Sequence, residues 1–147
     1  MKKLLYLFLA ITFMACSGDD ENVANTQLVD QIMSNVSEGS WIVSYYYDTD
    51  SEETAHFGNF IFSFNDNGIL VATDGVNTYS GSWSVTDSNS GDDSIDDLHF
   101  NISFASPAIF AELTDDWDIL SQTSALIELI DVSGGNGGTD YLTFQRQ

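Results

Sequence analysis

From Trp41 to the C-terminus, apolar and polar residues alternate with a period of two, and turn-forming residues cut the alternation into short runs, which predicts strands. The first run, over 41–47, places Trp41, Val43, Tyr45 and Tyr47 on one face. Phe60, Phe62 and Phe64 do the same for a second strand, with Asn59, Ser63 and Asn65 opposite. The turn Asn65-Asp66-Asn67-Gly68 then returns the chain into a strand carried by Ile69, Val71 and Thr73, because Asn-Gly between apolar runs is a strong hairpin signal. Tyr79, Gly81, Trp83 and Val85 alternate with Ser80, Ser82, Ser84 and Thr86, and Leu98, Phe100, Ile102 and Phe104 alternate with His99, Asn101 and Ser103. After Pro107 a short helical turn is predicted over 108–113, and Trp117 and Ile119 open another strand. The last two strands cover 125–131 and 141–144, on either side of the flexible Gly134-Gly135-Asn136-Gly137-Gly138 loop. Eight strands result.

Upstream the period is helical. Leu28, Val29, Ile32, Met33 and Val36 share one face of a short helix, with Asn25 or Thr26 as its N-cap and Gly39 just past its end. The fold class is therefore all-β: an eight-stranded antiparallel up-and-down barrel with a short N-terminal helix, a two-sheet β-sandwich being the alternative. Closing the sheet buries each apolar face and removes the exposed edges.

The first fifteen residues change this picture from a bare domain to an exported one. Lys2 and Lys3 precede an apolar run from Leu4 to Phe13 that ends at small Ala15, the form of a secretory leader. A membrane-spanning helix needs about 20 apolar residues, which this run does not reach. The chain thus divides into a signal peptide over 1–15, Cys16 and an acidic tether over 16–25, and one domain over 26–147. The tether is small and polar, and its composition predicts disorder. Phe13-Met14-Ala15-Cys16 resembles the lipobox of bacterial lipoproteins, which implies that Cys16 is cleaved to become the mature N-terminus and is acylated, palmitate being among the chains attached. Asp19, Asp20 and Glu21 resemble the acidic tract that some Gram-negative systems use to send lipoproteins to the cell surface. The implied location is the outer membrane, facing either the periplasm or the exterior.

Charge excludes some partners. The 147 residues include 3 basic and 23 acidic ones, a formal charge of -20, and loss of the leader leaves Arg146 as the only base. Nucleic acid is excluded as a partner because no basic stripe exists to neutralise phosphates. An anionic bilayer equally repels the domain, so the lipid attached at Cys16 is its contact with the membrane.

The domain resembles the lipocalin-like lipoproteins of Gram-negative bacteria on Gly39-Ser40-Trp41, Gly81-Ser82-Trp83, Asp115-Asp116-Trp117 and the closing Tyr141-Leu142-Thr143-Phe144. The resemblance implies a barrel from Leu28 to Gln147, and it offers Arg146 alone as the arginine that would cover Trp41. The interior face is assigned Trp41, Tyr45, Tyr47, Phe60, Phe62, Phe64, Tyr79, Trp83, Phe100, Phe104, Trp117 and Phe144, which either fill the barrel or line a pocket for a small apolar molecule. Tyr45, Tyr47 and Tyr79 at the mouth, with Trp83 below, are the candidate ligand-binding residues. No catalytic constellation is assigned: His99 points outward by alternation, His56 lies in a loop, and neither has a nucleophile to activate. The acidic loops over 48–53 and 87–93 miss the calcium-loop template at its glycine, so no metal site and no cofactor are assigned. The functional expectation is a non-catalytic binding module on the membrane, for a small apolar ligand or, with a filled barrel, for another envelope protein.

Overall fold

Residues 20–88, 95–133, 135 and 137–147 are described by a computed structural model. Cys16, the leader, the acids Asp92 and Asp93 and two positions of the glycine loop lie outside them. Helix α1 (Asp20–Ser37) leads into strand β1 (Trp41–Asp48), the two-residue β2 (Ser51–Glu52), a 3₁₀ turn (Thr54–His56), β3 (Ile61–Phe64), β4 (Ile69–Thr73) and β5 (Thr78–Asp87). A second 3₁₀ turn (Ile95–Asp97) precedes β6 (Leu98–Ser103), and the short α2 (Ala108–Ala111) precedes β7 (Asp115–Gln122), β8 (Leu126–Val132) and β9 (Thr139–Arg146).

From β3 to β9 each strand pairs antiparallel with the next, and β1 closes the circle on β9 from Trp41↔Arg146 to Tyr47↔Tyr141. The chain is therefore all-β, a closed eight-stranded antiparallel barrel with one N-terminal helix, and β2 is an appendage on the free edge of β1. The barrel is tightest at β1–β9 and loosest at β1–β3, which meet only at Trp41↔Phe62. The hairpin at 65–68 forms as the sequence dictates: the Gly68 N–H donates to the Asn65 carbonyl at 3.0 Å, with Gly68 at φ +80°.

Three local features depart from simple periodicity. In β1 the register with β9 shifts between Val43 and Tyr45, so Ser44 is the extra residue of a β-bulge. A bulge turns every later side chain to the opposite face. Tyr46 is thereby buried at 2% exposure, while Tyr45 and Tyr47 move from the assigned interior to the outer face. In β4 the inward residues are Leu70 and Ala72 rather than Ile69 and Val71. All four are apolar, so alternation is silent there, and pairing with Phe64 and Phe62 of β3 decides the face. Helix α1 begins at Asp20, so it takes in positions 20–25 that composition assigned to the tether, and it places Asn25 and Thr26 within the helix rather than at a cap. No glycine or proline interrupts 20–37, which suits one continuous helix.

Candidate functional site

Three places decide what this barrel can bind: its two ends and its outer wall. The end where β1 begins is closed by α1. Ile32 and Val36 of the helix are buried, and Leu28, Val29 and Met33 pack on the same core. Gly39 follows the helix in the left-handed region at φ +85°, reversing the chain into β1. Trp41 then lies fully buried, its indole N–H donating to the Val36 carbonyl at 2.9 Å. Arg146, at the end of β9, lays its guanidinium 4.9 Å from the centre of the Trp41 ring and donates a hydrogen bond to the Asn35 carbonyl. The last strand thus holds the helix down through a cation–π contact and a charge-assisted hydrogen bond.

The opposite end is where the candidate tyrosines were placed as a mouth. Its opening is filled by aromatic rings. Phe57, just after the first 3₁₀ turn, and Phe110 of α2 are fully buried with ring centres 6.0 Å apart. Phe60, Phe62, Phe104 and Tyr79 each lie within 4.9–6.0 Å of Phe110. Tyr46 packs edge-on against Phe57 at 5.4 Å and donates its hydroxyl to the Glu112 carbonyl at 3.0 Å. Burial, with the nearby carboxylates led by Asp48, pushes the Tyr46 phenol well above the ordinary tyrosine value.

Between the two ends runs a continuous column of rings. Phe62 touches Phe144 at 5.3 Å, Phe144 touches Phe64 at 5.2 Å, and Phe64 meets Trp83 at 5.3 Å and Phe100 at 5.6 Å. Trp83 stacks on Phe100 and donates its N–H to the Asn65 carbonyl at 2.8 Å. Edge-to-face pairs at these spacings are the packing of a solid core. Gly81 belongs to this arrangement, since a Cβ there would run into the Ser103 carbonyl and the Phe104 ring.

The candidate residues therefore separate. Tyr79 joins the plug, Trp83 sits in the column, and Tyr45 and Tyr47 leave the interior altogether. On the outer wall they stack at 6.5 Å, and Tyr47 lies 6.5 Å from Tyr141 of β9. Register continues this face through Ile130 to Asp118 in one row, and from Tyr45 through Thr143 to Glu128 in the next. The result is a half-exposed patch of three tyrosines bordered by carboxylates. A second outer feature is a depression of about 270 Å³ over β5 and β6, lined by Ser82, Ser84, Asn101 and Ser103 among others. His99 faces outward, 3.5 Å from Asp118.

Sequence reasoning missed Tyr46, Phe57 and Phe110 as the residues that fill the mouth. Phe57 and Phe110 stand in segments without periodicity, and Tyr46 was hidden by the bulge. It also left unassembled a cluster of Glu53, His56 and Glu112 beside the plug, whose ligating atoms lie within 4.8 Å of one another.

Among solved structures, the chain is similar to a DUF4847 family protein from Bacteroides vulgatus. The TM-score is 0.50 at 16% identity, covering 79% of this chain and 97% of that one, a likeness of fold alone. No protein-family model and no curated protein matches the sequence. Among the described residues no helix is long and apolar enough to cross a membrane.

Proposed function

We propose that this chain is a lipoprotein acylated at Cys16 and held on the outer membrane, whose barrel is a non-catalytic module that binds an envelope protein through its outer wall. The leader and the cysteine pattern support the anchor. The observation that carries the rest is the aromatic packing of the interior: buried rings follow one another in contact from Trp41 to Phe57, with α1 at one end and α2 at the other. This supports a barrel filled by its own side chains rather than one that holds a ligand as a lipocalin-like carrier does. Binding then falls to the surface, where Tyr45, Tyr47 and Tyr141 gather on an otherwise acidic molecule. Exposed aromatic groups bordered by Glu128 and Asp118 fit a partner segment rich in arginine or lysine, through cation–π contact and long-range attraction.

Site-specific photocrosslinking in cells tests this reading. A photoreactive residue at Tyr45 is expected to capture one discrete partner, and the same group at Val76, 90% exposed on the β4–β5 turn, is not. Identical products from both positions, or none from Tyr45, would refute the surface assignment. Anchoring is checked separately: Cys16→Ser is expected to leave an unprocessed or soluble precursor that takes up no labelled palmitate. A Cys16→Ser chain that is processed and held in the membrane fraction like the wild type would contradict acylation.

A further inference from the structure

We propose that Glu53, His56 and Glu112 form a binding site for a divalent first-row transition ion, with zinc as the representative case, at the plugged end of the barrel. The His56 Nδ1 lies 3.3 Å from Glu53 Oε2 and 3.8 Å from Glu112 Oε2. Ligands about 2.0–2.2 Å from a tetrahedral zinc stand roughly 3.3–3.6 Å from one another, so both separations from His56 are already close to what one ion requires. All three donors lie within 4.8 Å of one another, a span that small side-chain rotations close.

The spacing comes from the backbone. Glu53 and His56 bracket a 3₁₀ turn, in which side chains at i and i+3 eclipse, and this stacks carboxylate and imidazole on one side. Glu112 arrives from the C-terminal end of α2, its backbone carbonyl fixed by the Tyr46 hydroxyl. The two segments are locked together underneath by the buried contact of Phe57, next to His56, with Phe110, two residues before Glu112. The donors thus stand on a rigid base while remaining open to solvent, with His56 47%, Glu112 38% and Glu53 26% exposed. An entering ion keeps water in its remaining coordination position.

Electrostatics favours a dication. Arg146, the only base outside the leader, is committed to Trp41 at the far end of the barrel, so no Lys or Arg competes for the two carboxylates. The imidazole nitrogen selects transition metals over calcium and magnesium, which prefer all-oxygen sites. Bound there, the ion ties the first 3₁₀ turn to α2 and so fastens the plug.

Isothermal calorimetry on the full chain in detergent micelles, without a histidine tag and stripped by chelator, tests the proposal with zinc as the probe and calcium in parallel. The expected result is one zinc per chain, with affinity falling about tenfold or more in His56→Gln and in Glu112→Gln. Asp66→Asn and Asp74→Asn, which remove acids elsewhere, are expected to leave it unchanged. Zinc is expected to raise the melting temperature of the wild type and not of His56→Gln, and cobalt to give visible d–d bands that the same variant loses. Far-UV circular dichroism confirms that the variants fold, as half-exposed sites predict. No zinc binding, binding that survives His56→Gln, or equal displacement by calcium would overturn the proposal and leave His56 as a plain neighbour of the two glutamates.

Discussion

Phe64→Ala is the substitution that loads the filled-barrel reading most heavily. Phe64 is 1% exposed and stands at the crossing of the ring column, with Trp83, Phe100 and Phe144 centred 5.2–5.6 Å away and Trp41 at 6.5 Å. Removing the ring forfeits its transfer free energy, about 2–3 kcal/mol. It also leaves a void of roughly 100 Å³, which at about 24 cal/mol per Å³ adds around 2 kcal/mol if the four rings around it hold their places. The expected loss is therefore about 4–5 kcal/mol, at the upper end for a Phe-to-Ala change, because those rings are braced by one another. Equilibrium denaturation in guanidinium, followed by tryptophan fluorescence, measures it, and Phe64→Leu is expected to cost less than half as much. The void should take up a benzene-sized guest that raises the melting temperature of Phe64→Ala and not of the wild type. A loss below about 1.5 kcal/mol, or a wild-type barrel that binds the same guest, would mean that Phe64 borders open space, and the reasoning would fail.

Four further outcomes follow from the two ends and the core. Arg146→Met keeps the apolar stem but removes the cation–π contact and the hydrogen bond to Asn35, and it is expected to cost about 2–3 kcal/mol in the same denaturation assay and to speed amide exchange in α1. Glu38→Gln is expected to stay within about 0.5 kcal/mol, since its 3.9 Å pairing with Arg146 is made by a side chain 72% exposed. Gly81→Ala is expected to destabilise by more than about 2 kcal/mol in thermal melts, because the added carbon meets a backbone carbonyl and a buried ring that cannot both retreat. Tyr46 holds its proton more tightly folded than unfolded, so the unfolded chain releases it first as pH rises. Stability is then complete below the ordinary tyrosine value near 10 and declines above it, and Tyr46→Phe should flatten that alkaline decline in melts recorded across pH.

Much of the fold was legible in the sequence because most strands have one apolar and one polar face. β5 and β6, with Trp83, Val85, Phe100 and Ile102 inward, follow strict alternation, and the Asn-Gly turn before β4 fixes a register that the barrel keeps. What escaped is what alternation does not encode. The bulge at Ser44 adds a residue without any signature in a run of three tyrosines, so the faces of Tyr45 and Tyr47 inverted. Ile69 to Ala72 is apolar on both sides, and only the partner strand chooses between them. Glu112 beside His56 joins residues far apart in the chain, which the fold alone brings together, whereas Arg146 over Trp41, equally remote, was the pairing that the lipocalin-like resemblance offered and the barrel makes.

A barrel filled by its own side chains has no interior room for a guest. X-ray diffraction from crystals of the chain pressurised with xenon tests it most directly, since the gas enters dry apolar cavities larger than a methyl group. No xenon is expected between α1 and α2 in the wild type, and one site is expected at the vacated ring in Phe64→Ala. Xenon within the wild-type barrel, along the line from Trp41 to Phe110, would contradict it and restore the barrel as a carrier of small apolar molecules.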